Sequence, residues 1–158
     1  MIFLKIVILL IFGLICYQDY KDRMVYWFLY PLVGLIGFFI QAFCVDYYLI
    51  FINTLINLLL IGTILTILFV YSKFILKKKL INEALGIGDV LLFISLCFCF
   101  SIISFFILFT FSLLFALLLH LFFTTNKKTI PLAGYMAAFF AFVYGMTFFV
   151  NCNFIFAY

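Results

Sequence analysis

Two aspartates stand where an apolar chain has most reason to avoid them. Asp89 sits in "GIGDV", Gly86 to Val90, behind two glycines and at the head of a long apolar run. Asp19 sits in "YQDYKDR", Tyr17 to Arg23, at the end of another. An ionised Asp at the centre of a membrane helix is unfavourable by about 3 kcal/mol. A carboxylate at such a boundary therefore either caps a helix in contact with water or does chemistry. Two of them at one membrane depth could act as an aspartic pair, one ionised to activate water as general base, the other protonated to polarise a carbonyl. Capping explains the same residues. Gly-Asp ahead of an apolar helix accepts orphan amides and is favoured by the helix dipole, and Asp19 and Asp22 among Lys21 and Arg23 fit a solvated loop. Chemistry alone leaves both readings open.

The elements that must position these residues follow from composition. Of the 158 residues, 71% are hydrophobic, 23% aromatic and only 9% charged. The mean hydropathy is +1.47. A water-soluble domain of this size could not cover so much apolar surface, so the chain reads as an integral membrane protein. Disorder and nucleic-acid binding are excluded on the same grounds, since the nine Lys and Arg residues are few and sit where topology places them. Cys16, Cys44, Cys97, Cys99 and Cys152 are scattered through apolar segments without a CxxC pair, and read as buried small hydrophobes, with no metal site. The first apolar segment lacks a small-residue cleavage site and is expected to be a retained span.

A span needs about 20 apolar residues, and charged or turn-forming clusters cut the chain into six candidates: 2–17, 26–44, 49–71, 89–101, 104–123 and 131–150. Val90 to Phe123 is apolar throughout, and as one helix would run roughly 51 Å against a hydrocarbon core of about 30 Å. A turn near Ser101 to Ser104 is therefore expected. Eight of the nine basic residues (Lys21, Arg23, Lys73, Lys77, Lys78, Lys79, Lys127 and Lys128) fall in alternate connections. Positive connections stay cytoplasmic, so both termini and Asp46 are expected outside. Tyr17, Tyr20, Tyr26, Trp27 and Tyr71 fall at the cytoplasmic ends as interfacial aromatics. The expected fold is all-α, a single membrane-embedded unit over 1–158. Asp19, Asp22, Glu83 and Asp89 share its cytoplasmic side.

Three segments carry a family resemblance. "GIGDV" resembles the GxGD motif of the type IV prepilin and preflagellin peptidases, six-span intramembrane aspartic proteases whose second Asp opens the fourth helix. "DYKDRMVYW", residues 19–27, resembles their first-Asp motif, in which an Ile-Pro pair follows six and seven positions after the Asp. "TIPLAGY", residues 129–135, resembles the Ile-Pro-Phe-Gly segment that opens their last helix. Val25 and Tyr26 stand where the family prefers Ile-Pro, and the cysteine-bearing domain of the long bacterial forms is missing, so their N-methyltransferase activity is not expected here. Presenilin-type proteases share GxGD but have more spans and a Tyr-Asp pair where this chain has Gln18-Asp19.

The resemblance implies that Asp19 and Asp89 are the catalytic pair. It implies that Gly86 and Gly88 allow close approach of a substrate strand and the bend into the helix. Pro131, lacking an amide hydrogen, would push Ile130 toward an extended conformation that lends hydrogen bonds to an unwound substrate. It further implies an aspartic endopeptidase of the inner membrane, its site facing the cytoplasm. The substrate would be a type IV pilin-like precursor, cut between a basic leader and an apolar helix, with no metal or organic cofactor. Asp22 and Glu83 could attract the leader or be solvated loop charges. His120 reads as a carbonyl partner, and Asn53 and Asn57, four apart, as interhelical hydrogen-bond partners. Two rivals remain: a family member of altered activity, and a noncatalytic subunit of a pilus or secretion assembly.

Overall fold

The structure is a computed structural model that describes residues 2–22, 24–76, 86–122 and 131–148. Among the described residues every regular element is helical: α1 (Ile2–Lys21), α2 (Leu29–Ala42), α3 (Tyr47–Tyr71), continued by a π-helical turn at Ser72–Leu76, then α4 (Ile87–Leu96), α5 (Ile102–Phe122) and α6 (Leu132–Met146). Helices are what an apolar chain must form in lipid, because only there does each backbone amide find its acceptor within its own segment. Leu10, Phe51, Leu59, Phe106 and Leu117 point outward and are exposed. An apolar exterior of this extent belongs in a membrane. Ile2–Lys21, Tyr47–Phe74 and Ile102–Phe122 are long and apolar enough to cross one, and α2, α4 and α6 are shorter apolar helices.

The short helices form the interior. Small residues let α2 and α4 approach closely. Gly34 lies against the Ser95 backbone, and a Cβ there would stand 3.3 Å from its carbonyl oxygen. One turn further on, Gly37 receives Cys99, whose Sγ fills the place a side chain would need. On the other side α1 runs antiparallel to α6. Phe12 packs against Phe140 and Tyr144, with ring centroids 5.9 and 5.8 Å apart. Near the start of α1 the buried Lys5 donates from Nζ to the Thr147 carbonyl at 2.9 Å and lies over the Phe148 ring. That is the ninth basic residue, its ammonium held by a carbonyl and a ring face.

Four local expectations need correction. First, α1 continues to Lys21, past the expected end at 17, so Asp19 is on the helix and not in the loop. Second, the break before α5 comes earlier than Ser101–Ser104. The amides of Cys97, Phe98 and Cys99 tighten onto the carbonyls of Ile94, Ser95 and Leu96. Buried Asn57 of α3 then donates from Nδ2 to the carbonyls of Cys97 and Phe100, at 3.3 and 2.9 Å. An outside donor thus satisfies carbonyls that the helix end leaves orphaned. Third, α2 and α6 are each shorter than the spans expected at 26–44 and 131–150. Fourth, only Cys97 and Cys99 are buried, whereas Cys16 and Cys44 are half-buried, and Cys152 lies outside the described residues.

Candidate active site

The antiparallel pairing brings the end of α1 to the start of α6. α2 and α4 begin at the same end of the bundle, because Tyr30 at the head of α2 touches Gly88 at the head of α4. Four helix ends therefore converge, and both candidate aspartates lie among them.

The first turn of α6 is the focus. A helix start leaves its first amides without acceptors inside the helix. Pro131 precedes α6 and has no amide to place, and its carbonyl accepts the Tyr135 amide at 3.2 Å. The following amides are taken by carboxylates of other helices. Gly134 donates its N–H to Asp19 Oδ2 at 2.5 Å. The neighbouring Ala133 amide acts as a donor to the Asp89 carboxylate. Consecutive residues lie only about 3.8 Å apart along the chain, so the two carboxylates are drawn to one short piece of backbone. Each lies in the electrostatic field of the other. Both are half-buried, within reach of water at the end of the bundle.

Glycine at 134 is what admits Asp19. A Cβ there would stand 3.0 Å from both the Cβ and Oδ2 of Asp19. Asp89 occupies the third position of α4 and also accepts the Gly86 amide through Oδ2, at 3.1 Å. It thus caps its own helix while reaching Ala133. Gly86 is extended, with φ −71° and ψ 147°, and starts α4. The close approach at Gly88 is taken by Tyr30, not left open for a substrate. A Cβ at Gly88 would fall 2.6 Å from the phenol oxygen.

Asp22 lies one turn beyond Gln18, its amide bonded to the Gln18 carbonyl at 2.9 Å, and is exposed. Glu83 and Ile130 lie outside the described residues. His120 lies in the last turn of α5. Of the two asparagines, Asn57 makes interhelical bonds. The sequence reading missed Tyr30, Ala133, Gly134 and Gln18. Gln18 Oε1 accepts the Tyr26 amide at 3.3 Å and ties the α1–α2 connection back to α1. A Pro at 26, which the resemblance asks for, could not make that bond.

Among the described residues no three His, Cys, Asp or Glu side chains gather as a metal site would require. A groove of about 1110 Å³ runs along α3 between Phe38, Leu55, Leu59, Gly62, Thr66 and Phe98, with neither aspartate in its wall. Among the described residues, the converging ends bring together two carboxylates, backbone amides and a phenol. Comparison with family models, with curated proteins and with solved structures finds no match for the chain.

Proposed function

We propose that the chain is a six-span intramembrane aspartic endopeptidase of the type IV prepilin and preflagellin peptidase family. In this reading both termini lie outside and the aspartates face the cytoplasm at the inner membrane. One observation carries it. Asp19 and Asp89, on different helices, are directed onto the consecutive residues Ala133 and Gly134. Two carboxylates so close share a proton more readily than they both ionise. The ionised one takes a proton from water, whose oxygen adds to the scissile carbonyl carbon. The protonated one gives its proton to the carbonyl oxygen. Transfer of a proton to the peptide nitrogen then lets the C–N bond break.

The substrate class follows from the motif resemblance together with the site's place at the end of an apolar bundle. A type IV pilin-like precursor presents a basic leader and then an apolar helix. The junction would lie at the aspartates, with the leader beside the exposed Asp22. The test uses the purified full chain in detergent micelles and a synthetic precursor with a Lys-rich leader, a Gly and an apolar segment of about 20 residues. Mass spectrometry should find cleavage after the Gly. A precursor left intact at every pH tried would contradict the reading.

The bond from the Gly86 amide to Asp89 favours one alternative, in which the aspartates serve only as helix caps in a noncatalytic membrane subunit. Asn caps a helix about as well as Asp. In that case Asp89→Asn would leave both stability and the protein's role in assembly unchanged.

A further inference from the structure

Among the described residues at the converging ends, Tyr30 is the one large polar side chain that is almost wholly buried, at 2% exposure. Tyr17, Tyr20 and Tyr26 lie outward, as interfacial residues do, and Tyr135 in the first turn of α6 is half-buried. The Tyr30 phenol is seated on Gly88: a Cβ at that position would stand 2.6 Å from Oη and 3.3 Å from Cζ. The hydroxyl is therefore held against the backbone immediately ahead of Asp89. The fields of Asp19 and Asp89 both reach the phenol. A buried tyrosine hydroxyl ordinarily has a partner. Here the described hydrogen bonds of the site run from backbone amides to the carboxylates, and the phenol oxygen lies beside them against Gly88. Phe would pack on Gly88 as well, so apolar packing does not account for the oxygen.

We propose that Tyr30 is a third catalytic group, whose hydroxyl donates a hydrogen bond to the scissile carbonyl oxygen as water adds to the carbon. This rests on the peptidase reading. The carbonyl oxygen takes its proton from the protonated aspartate, and Tyr30 keeps its own, so the step needs no further reactant. A preorganised donor aimed at developing charge acts mainly on the transition state. It lowers the barrier without tightening the binding of the leader or the apolar helix. Glycine at 88 is then required because any side chain there would displace the phenol.

The test is Tyr30→Phe in the full chain, assayed on the leader–helix peptide beside wild type and Asp19→Asn. The expected result is a fall in kcat of about 10- to 100-fold with KM within about twofold and an unchanged thermal midpoint. A fluorinated tyrosine at position 30 keeps the hydroxyl and makes it more acidic. It should recover kcat to within about threefold of wild type and leave both limbs of the pH profile, which the aspartates set, in place. Full activity in Tyr30→Phe, or a rise in KM alone, would overturn the role of Tyr30. So would failure of the fluorinated residue to recover kcat. If wild type cleaves and Asp19→Asn does not, such a result removes only Tyr30. If wild type itself does not cleave, the peptidase reading and this role fall together.

Discussion

Gly134 donates its backbone N–H to the carboxylate of Asp19, across 115 positions of sequence. The contact has no room to spare, because a Cβ at 134 would stand 3.0 Å from the Asp19 oxygen that accepts it. Gly134→Ala keeps the amide and the helix but pushes the carboxylate aside. A misplacement of about 1 Å costs on the order of 100-fold in rate. Asp19 need give by only a few tenths of an ångström, so Gly134→Ala should lower kcat by about 2- to 10-fold at nearly unchanged stability. Wild-type kcat in this variant, measured with the leader–helix peptide, would mean that the contact does not position Asp19 for reaction.

Topology is the second expectation. Lys21 ends α1, Asp46 precedes α3 and Lys73 follows it. In a background with the native cysteines replaced, Lys21→Cys and Lys73→Cys should react with a membrane-impermeant thiol reagent only from the cytoplasm, and Asp46→Cys only from outside. Labelling of positions 21 and 73 from opposite sides would remove the six-span arrangement.

The Gln18–Tyr26 bond gives a third. Gln18→Ala removes the acceptor and Tyr26→Pro removes the donor of the same hydrogen bond. Each should cost about 0.5–1 kcal/mol in thermal unfolding, and the double variant less than the sum. Strict additivity would show that the bond contributes nothing to holding the α1–α2 connection.

Much of this was legible in particular residues. Asp19 and Asp89 stood out because a charge is costly in an apolar helix. Pro131 marked the start of α6, and the basic residues marked the connections. Other features were hidden for physical reasons. Tyr30 is one of ten tyrosines that look alike in sequence, and only packing separates it from the interfacial ones. Gly88 announced a close approach but not its occupant, which comes from a helix more than fifty residues upstream. Ala133 and Gly134 act through amides, which every residue but Pro possesses. The break before α5 follows from Asn57, a donor on a separate helix, and so could not be located from Val90 to Phe123 alone.

A fourth expectation concerns pH. Two interacting carboxylates release their protons in two macroscopic steps. Below the lower step both are protonated and no base remains. Above the upper step both are ionised and no acid remains. The rate of cleavage should therefore fall at both extremes, and Asp22→Asn should leave the profile in place. A flat profile, with the chemical step shown to limit the rate, would contradict a shared proton.

The most direct measurement is cleavage of the leader–helix precursor by Asp19→Asn, Asp89→Asn, the double variant and Asp22→Asn, each at equal protein level. Asn is nearly the same shape and still accepts an amide hydrogen, so the helix ends stay capped. The expected result is loss of cleavage by a factor of about 10³ or more in either single variant, no further loss in the double variant because the pair acts as a unit, and near-normal cleavage in Asp22→Asn. Undiminished cleavage in Asp19→Asn or Asp89→Asn would contradict the dyad. A dead Asp22→Asn beside an active Asp19→Asn would place the first catalytic aspartate at 22.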